Sequence, residues 1–418
     1  MIGIAQLIKG LIMKYIIDTD DGNKYIYDTS NNKFYTNDGG AIIFVSDEKN
    51  IKKKIHIRIS LGMACNMNCS YCSERQNRTK FIDQVTDAKH FTKSLLDYID
   101  KFFDKPEVIH ISFWGGEPLL YADIMQAIHK EMTSLPIEDR ELQWSLSTNG
   151  KLLKGPVFRW IVDNKIQFSV SYDGPGQKYR DQEDVLSPGS VQLANLHRYL
   201  KGGAHAIAFN PVLHIGNPSF DKYELFMQER LQFEDIPIGD APYLRIYDDA
   251  SAKFMLSDDQ LKNDMSDRIN RINTDRTLPH SFYTRLRRSM TADEVPFPCI
   301  TTNRENYLAV DLKGNIWGCH NNVGQMMEEN GGNLYGGNIY TCNRINIPYV
   351  ALTKRREIRC PDCLLRYICG GGCGLTPDKY KDYNCAIAWH INFPVFYQIV
   401  KFATLGGKLT AVHRIQEV

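Results

Sequence analysis

Hydrophobic and polar residues alternate in short segments over the first fifty residues. Asp-Gly, Asn-Asn and Gly-Gly pairs, which favour tight turns, separate these segments. The segments are Lys14–Ile17, Lys24–Tyr27, Lys33–Tyr35 and Ala41–Val45. Residues 1–50 are therefore predicted to form a small β-meander. Such a sheet serves either as a structural cap, which we favour, or as an edge to which an extended peptide adds a strand.

From residue 51 to residue 247 the pattern changes to strands that alternate with helices. Ile55–Leu61 alternates like a strand, and apolar residues with helical spacing follow it between residues 84 and 103. Further strands are predicted at Val108–Phe113, Leu142–Ser147, Ile166–Ser171, Ala204–Phe209 and Tyr243–Tyr247, with helices at 119–133, before 163, at 189–201 and at 218–232. Six such units predict an α/β fold with a parallel sheet and right-handed crossovers. Since about 190 residues are few for a closed eight-unit barrel, we expect a partial (β/α)6 TIM-like barrel.

The residue composition of the chain changes twice more after the predicted barrel. Residues 248–298 are polar with a helical pattern and predict a bridging segment. Residues 299–386 are rich in glycine, asparagine and cysteine, which is typical of a small domain stapled by metal. Residues 387–418 begin with an apolar, aromatic stretch, Ile387–Leu405, that predicts a helix packed on the body, followed by a tail.

Composition narrows the function classes. The 418 residues carry a net charge of +1 and are 43% hydrophobic, which fits a globular protein with a substantial core. A balanced charge indicates neither a nucleic-acid partner nor an anionic membrane. No apolar run reaches the roughly 18 residues that span a bilayer. Met1–Met13 is apolar but contains Lys9 and lacks a cleavage site, so we expect no signal peptide and a cytoplasmic location.

The cysteines point to metal chemistry. Eleven is an odd number, and without a secretory signal a disulfide framework is not expected. Cys65, Cys69 and Cys72 form a C-x3-C-x2-C cluster directly after the first predicted barrel strand, and the other eight lie between residues 299 and 385. Three thiolates can hold three irons of a [4Fe-4S] cube and leave the fourth iron open to a ligand. A zinc site with a remote fourth ligand is the alternative.

The cluster resembles that of the radical S-adenosylmethionine (radical SAM) superfamily, because Tyr71 precedes its last cysteine and Gly115-Gly-Glu-Pro118 ends the next strand. The resemblance implies that S-adenosyl-L-methionine binds the open iron and yields a 5′-deoxyadenosyl radical. It also implies that the methionine ammonium meets the backbone of Gly115 and Gly116 and the carboxylate of Glu117. Tyr71 would pack near the adenine.

Two later strand ends complete the cofactor site that the resemblance implies. Ser147 and Asn149 match a motif near the ribose, and Ser171 and Asp173 match another motif with polar contacts. Related enzymes often continue with a His-Asp pair and an arginine, whereas this chain has Lys178-Tyr-Arg-Asp181. Arg180 is the candidate for the methionine carboxylate.

The C-terminal cysteines resemble the SPASM extension of peptide-modifying radical enzymes, which holds two auxiliary [4Fe-4S] clusters. The resemblance assigns Cys299, Cys319 and Cys373 to the first auxiliary cluster. It assigns the second to Cys360, Cys363, Cys369 and Cys385. Cys342 lies outside the pattern, and as a fourth ligand of the first cluster it would divide the eleven thiols as three, four and four. A pair of structural zinc sites is the alternative.

These features predict an enzyme with three [4Fe-4S] clusters that oxidatively modifies a ribosomally made precursor peptide. The modification expected is a carbon–carbon or thioether cross-link, since an auxiliary cluster can remove the electron that hydrogen abstraction leaves on the substrate. If Cys342 is a ligand, no cysteine remains as a hydrogen donor. A flavodoxin or ferredoxin is the expected electron donor. The alternatives are a sulfatase maturase that makes formylglycine, with Asp311 as the base, and a non-catalytic iron–sulfur protein. Glu183 and His214 are further candidates for a base.

Overall fold

The computed structural model describes residues 14–44, 52–74, 87–137, 140–203, 207–290, 306–320, 335–345, 360, 363–373 and 376–414. Its strands, numbered in chain order, are β1 (Lys14–Thr19), β2 (Lys24–Asp28), β3 (Lys33–Thr36), β4 (Ala41–Ile42), β5 (Lys54–Ser60), β6 (Val108–Trp114), β7 (Glu141–Thr148), β8 (Gln167–Val170), β9 (Ile207–Phe209), β10 (Tyr307–Asp311), β11 (Asn315–Trp317), β12 (Tyr335–Asn338), β13 (Asn343–Arg344) and β14 (Leu409–Arg414).

The helices alternate with the strands in the first half of the chain and dominate the second half. They are α1 (Ala88–Phe102), α2 (Ala122–Ser134), α3 (Gly155–Asp163), α4 (Val191–Lys201), α5 (Phe220–Leu231), α6 (Asp249–Ala252), α7 (Asp258–Asn273), α8 (His280–Met290), α9 (Arg366–Cys369) and α10 (Lys381–Ala403). No helix within these described ranges has the length and apolar character needed to cross a membrane.

The central sheet is the predicted partial barrel. Strands β5 to β9 pair in parallel and in chain order, with α1 to α4 as crossovers between them. Each strand buries the residues that face the surrounding helices, such as Ile55, Ile57 and Ile59 of β5. The opposite face of β5 carries His56 and Arg58, because alternate residues of a strand point to the same face. The inside of the barrel is therefore partly polar.

The predicted sixth strand, Tyr243–Tyr247, is wrong. The chain runs parallel to β9 there, but it forms only isolated bridges, between Phe209 and Ile238 and between Leu213 and Tyr243. Pro237 and Pro242 accept hydrogen bonds from the amides of Phe209 and Leu213. Because proline has no amide hydrogen to donate, a continuous ladder cannot form at this edge.

The central sheet extends beyond the barrel. The predicted hairpin at Tyr307–Trp317 is confirmed as the antiparallel pair β10–β11. The sequence did not indicate that β10 pairs in parallel with β5 from Tyr307 to Asp311. Strands β12 and β13 follow, so the sheet has nine strands. The predicted boundary at residue 299 therefore lies between segments that share one sheet.

The N-terminal segments form the predicted meander, joined by a fifth strand from the tail. The order is β14-β1-β2-β3-β4, and β14 covers the edge of β1 in an antiparallel pair. This sheet packs on α10, where the ring of Tyr27 lies 5.4 Å from that of Phe396. The C-terminal helix begins at Lys381, six residues before the predicted start. The meander and the C-terminal helices thus share a second hydrophobic core.

Candidate functional site

The loop that carries the first three cysteines stays paired with the loop after β6. The amide of Leu61 donates to the carbonyl of Trp114 at 2.9 Å. The amides of Gly116 and Glu117 then donate to the carbonyls of Gly62 and Ala64, each at 2.9 Å. These bonds extend the β5–β6 pairing past both strand ends. The Cys65–Cys72 loop is therefore held by backbone geometry.

Gly115 and Gly116 are required by this close approach. Gly115 has φ +141°, and a Cβ there would lie 2.3 Å from the carbonyl oxygen of Gly62. A Cβ on Gly116 would lie 2.4 Å from the carbonyl oxygen of Ala64. Any larger residue would push the cysteine loop away from the sheet. The expected approach to a ligand is thus accompanied by an approach of one loop to another.

Glu117 ties three loops together. Its side chain is 1% exposed and accepts from the Thr148 hydroxyl at 2.7 Å, the Asn149 amide at 2.8 Å and the Leu119 amide at 3.1 Å. Burial raises the pKa of this carboxyl, and the hydrogen bonds oppose the rise. Three of the roughly four acceptor positions of a carboxylate are occupied. Glu117 therefore orders the strand ends and has capacity for about one further donor.

Asn149 links the end of β7 to the cysteine loop. Its side-chain amide donates to the Asn66 side chain at 2.7 Å and lies 3.9 Å from the Cys65 sulfur. Ser147, just before it, and Ser171, after β8, both line the same cavity as the cysteines. The backbone amide of Ser171 donates to the Thr148 carbonyl at 2.8 Å.

Asp173 is the centre of a buried polar cluster. It is 0% exposed and accepts from the Val212 amide at 2.9 Å and from the Arg180 guanidinium at 3.3 Å. The Tyr71 hydroxyl also donates to it, and the His214 ring lies 3.3 Å away. Burial opposes ionisation, but Arg180, His214 and Tyr71 outweigh it and lower the pKa of Asp173.

Tyr71 and Arg180 belong to this cluster. Burial is the main cause that raises the pKa of Tyr71, whose ring lies 4.9 Å from the ring of His214. Burial disfavours the charged form of Arg180, but Tyr71 and Asp173 raise its pKa well above the usual value. The Arg180 Nε is buried and has no hydrogen-bond partner within the described residues. His214 is fully buried and is not among the residues that line the cavity.

One cavity of about 1230 Å³ contacts all of these strand ends. Cys65, Cys69 and Cys72 line one part of it, and Arg245, Tyr247 and His320 line another. The candidate cofactor residues that line it are Tyr71, Gly115, Gly116, Glu117, Ser147, Asn149, Ser171 and Arg180. Among the sequence candidates for this site, only Asp173 lies behind the cavity wall.

The sequence did not identify several residues of the cavity wall. Arg58 and Trp114 extend into it from β5 and β6, with the guanidinium of Arg58 4.6 Å from the centre of the Trp114 ring. His320 packs edge-on against Trp114 at 5.1 Å. The alternation of β5 could have indicated Arg58, because it leaves this residue on the polar face.

Asp311 is not placed as a base would be. Its carboxylate accepts from the amides of Lys313 and Asn315 at 2.9 Å, from the Asn315 side chain at 3.1 Å and from the Trp317 indole at 2.9 Å. It is not among the cavity-lining residues. Asp311 closes the β10–β11 turn, and its role as the base stays a prediction that this placement does not favour. Glu183 also lies outside the cavity, 3.5 Å from Lys151, with its side chain 76% exposed.

The C-terminal cysteines lie in two places relative to the cavity. Burial raises the pKa of the Cys363 thiol to about 11, and the nearby thiols of Cys369, Cys360 and Cys385 raise it too. These four are the thiols assigned to the second auxiliary cluster, and they lie near one another. Cys373 instead accepts from the hydroxyl of the cavity residue Tyr247 at 3.6 Å.

Cys342 does not lie beside Cys319. Strands β11 and β12 are antiparallel, and Cys319 follows one end of this pair whereas Cys342 follows the other. Cys342 has φ +47° in the turn before β13, and its carbonyl accepts from Lys101 at 3.1 Å. The turn that holds Cys342 lies beside Gly314, and the span from Gly314 to Cys319 corresponds to about 16 Å of extended chain. This placement does not favour Cys342 as the fourth ligand of the first auxiliary cluster, which stays a prediction. Cys299 lies outside the described residues.

The first three cysteines fit a cluster with one open iron. All three line the cavity together with Arg180, whose Nε is buried and has no hydrogen-bond partner among the described residues. Within the part of the chain that is described, no three ligating side chains converge as the ligands of a single ion would. In a [4Fe-4S] cube each thiolate binds a different iron, so its cysteines do not need to converge on one point.

Comparison with known proteins agrees with the arrangement of the first three cysteines. Residues 59–214 match the Radical SAM superfamily. Over 140 residues the chain is 30% identical to the 7-carboxy-7-deazaguanine synthase of Methanothermobacter thermautotrophicus, a match that covers 34% of this chain and 52% of that protein. The chain spans only about half the length of the curated relatives it matches, 42% and 52%.

Two solved structures share the fold over most of the chain. Native anSMEcpe with bound AdoMet has a TM-score of 0.61 and 16% identity, with 84% of this chain and 99% of that chain covered. Streptococcus suis SuiB bound to precursor peptide SuiA has a TM-score of 0.50 and 14% identity, with 78% and 73% covered. At these identities the likeness shows a common fold.

Proposed function

We propose that this chain, which carries a radical SAM domain over residues 59–214, oxidatively modifies a peptide and forms a cross-link between its side chains. One observation carries the proposal. A single cavity contacts the C-x3-C-x2-C loop and also reaches His320, next to Cys319, and Tyr247, which donates to Cys373. Groups bound by the two cysteine regions would face the same substrate.

The bound groups would supply the difficult chemistry. With S-adenosyl-L-methionine and iron–sulfur clusters in place, the site would have a hydrogen-abstracting radical and an acceptor for the substrate's remaining electron. Cys65, Cys69 and Cys72 would hold the cluster that binds S-adenosyl-L-methionine. Cys319 and Cys373, with Cys299, would hold the first auxiliary cluster. A flavodoxin or ferredoxin would supply the electron that starts each cycle.

The protein's own residues would orient the cofactor and keep water out. Glu117 fixes the ends of β6 and β7, so that the loops around the methionine keep one shape. Asp173 holds Arg180 and Tyr71 in place. The unpartnered Nε of Arg180 is available to the methionine carboxylate. Such prior ordering lowers the entropy cost of placing the reacting atoms.

Proteins that share this fold are seen bound to peptides, and this supports a peptide substrate. SuiB is seen bound to a precursor peptide, and anSMEcpe is seen bound to AdoMet and the Cp18Cys peptide. A cavity of about 1230 Å³ exceeds the usual range of roughly 300–1,000 Å³ for small-molecule sites. The N-terminal sheet would hold the flanking peptide at β4, beside which Ile43 is 79% exposed. The formylglycine alternative has less support, because hydrogen bonds already occupy the carboxylate of its candidate base, Asp311.

Mass spectrometry tests this function. The anaerobically reconstituted protein is incubated with S-adenosyl-L-methionine, a reductant and the short peptides encoded beside its gene. We expect one peptide to lose about 2 Da, two hydrogens, for each cross-link, together with release of 5′-deoxyadenosine. Fragmentation should locate the loss between two side chains. A loss confined to one Ser or Cys would contradict cross-linking, and a Cys65→Ala variant, which removes a cluster ligand, serves as the blank.

A further inference from the structure

Arg58 lies inside the barrel, below the cysteine loop. It is two residues before the end of β5, which corresponds to about 7 Å along the strand. The strand register places it opposite Ser112 of β6, and the same row continues through Ser145 of β7 to Gln167 of β8. All four side chains line the cavity. Arg58 is the only charged member of this row.

Arg58 lacks, among the described residues, the anionic partner that Arg180, Arg268 and Arg271 have. Arg180 pairs with Asp173, Arg268 with Asp264, and Arg271 with Asp221 and Glu224. Within the described residues Arg58 has no ion pair, and its Nε is buried without a hydrogen-bond partner. Its guanidinium instead stacks on the ring of Trp114.

The acidic side chains around the cavity do not compensate this charge. Glu117 is engaged with the strand ends, Glu224 with Arg271, and Asp240 with the Ser281 hydroxyl at 2.5 Å. Glu74 also lines the cavity, but among the described residues it makes no ion pair with Arg58. Around it, burial is the main cause that lowers the pKa of His56, His110 and His320, and the positive charge of Arg58 lowers it further. A guanidinium taken out of water without an anion is costly, and a bound carboxylate would remove that cost.

We propose that Arg58 binds a carboxylate of the substrate segment that enters the barrel. This assignment rests on the proposed function, because it takes the substrate to be a peptide. Stacking on Trp114 holds the guanidinium plane and leaves its edge free for a bidentate carboxylate. Two sources fit this chemistry: the side chain of an Asp or Glu residue, and the carboxylate at the C-terminus of the peptide.

Protection of Arg58 from phenylglyoxal tests the assignment. The reconstituted holoenzyme, saturated with S-adenosyl-L-methionine, is labelled with and without a small probe, and the modified arginines are located by mass spectrometry. N-acetylglutamic acid α-amide stands for an acidic side chain and N-acetylalanine for a C-terminus. N-acetylglutamine amide and N-acetylalanine amide are the uncharged controls. The exposed Arg159 is the internal reference.

We expect a carboxylate probe to slow the labelling of Arg58, by about threefold at a concentration of twice its dissociation constant, and to leave Arg159 unchanged. The probe that protects identifies the source, and protection by both supports the shared chemistry. Equal protection by the amides, no protection at all, or complete protection by S-adenosyl-L-methionine alone would overturn the assignment. If the reagent does not reach Arg58, the emission of Trp114 is followed instead. Carboxylates but not amides should then change a signal that the W114F variant lacks, and an unchanged signal would overturn the assignment.

The test separates this inference from the proposed function. Labelling requires no turnover, so protection of Arg58 would persist even if the protein modified no peptide. Peptide cross-linking without protection would overturn only the role of Arg58. An Arg58→Lys variant keeps the positive charge but loses the planar fork, and in it carboxylates should no longer change the emission of Trp114.

Discussion

The two cysteine-bearing regions of this chain are built in different ways. The loop of Cys65, Cys69 and Cys72 is fixed by backbone hydrogen bonds to the neighbouring loop and by glycine contacts that leave no room for a side chain. The C-terminal cysteines instead lie around short elements, such as the four-residue helix α9, and Cys385 is exposed on α10. The first region is shaped by the sheet, and the second depends more on what packs against it.

The N-terminal sheet is a large part of that packing. Tyr27 and Phe34 share a hydrophobic core with Leu364, just before α9, and with Ile368, which precedes Cys369 in that helix. The Tyr367 hydroxyl donates to the carbonyl of Ser30 at 3.0 Å. The meander therefore packs against the region of the C-terminal cysteines.

Gly116→Ala should have the largest effect, because it attacks the backbone contact that defines the first region. The new Cβ would lie 2.4 Å from the Ala64 carbonyl oxygen, so the cysteine loop must move. A displacement of about 1 Å in a catalytic site can cost on the order of a hundredfold in rate. We expect a loss of that order in reductive cleavage of S-adenosyl-L-methionine, measured as 5′-deoxyadenosine.

Gly202→Ala is the matched control. Gly202 ends α4 with φ −73°, and its Cβ would meet only backbone atoms at 3.4 and 3.5 Å. This variant should keep wild-type cleavage. If Gly116→Ala also cleaved at the wild-type rate, the two cysteine regions would not differ in the way described here.

Cys373→Ala and Cys342→Ala test the second region. Cys373 lies beside a cavity residue, whereas Cys342 lies in a turn at the outer part of the sheet with its carbonyl bound by Lys101. With three clusters present, Cys373→Ala should lower the iron content by about four per chain. Cys342→Ala should leave it unchanged. Iron analysis on anaerobically purified protein measures this difference. An equal loss in both variants would support Cys342 as a ligand.

Much of the first region could be predicted from sequence, because its motifs are local. The C-x3-C-x2-C loop, Gly115-Gly116 and Asn149 each follow a strand, and parallel strands bring their ends together. The position of Cys342 could not be predicted, because it depends on the pairing of β12 with β11 across sixteen or more residues of chain. Arg58 and Asp311 show the same limit. Residue type indicated a base at Asp311, but only the hairpin shows that its oxygens are occupied.

The sheet that joins the two regions contains an acid-sensitive pair. The Nδ1 atoms of His56 and His110 lie 3.1 Å apart. Burial, with Lys54 as the next cause, lowers the pKa of His56 to about 4 and that of His110 to about 3. The unfolded chain, with pKa values near 6.5, binds more protons below that pH. Stability should therefore fall as the pH drops from about 6.5 towards 4. Above this window the two histidines should not change the stability.

Denaturant unfolding at several pH values measures this effect. Each histidine contributes at most about 1.4 kcal/mol per pH unit, and the partial exposure of both rings reduces this. A His56→Gln/His110→Gln variant should show a shallower loss of stability between pH 6.5 and 5 than the parent protein. The same slope in both proteins would mean that other groups, including the cysteine regions, govern the acid response.

Asp311→Asn should have the smallest effect on activity. The side-chain amide would face the Trp317 indole and the Asn315 amide, which are both donors, so both lose their acceptor. We expect a loss of about 1–3 kcal/mol in the free energy of unfolding. Turnover per bound iron should stay at the wild-type level, because Asp311 lies outside the cavity wall. A loss of turnover at unchanged iron content and stability would return Asp311 to the role of base. It would also mean that the hairpin opens during the reaction, so that the second region would be the mobile one.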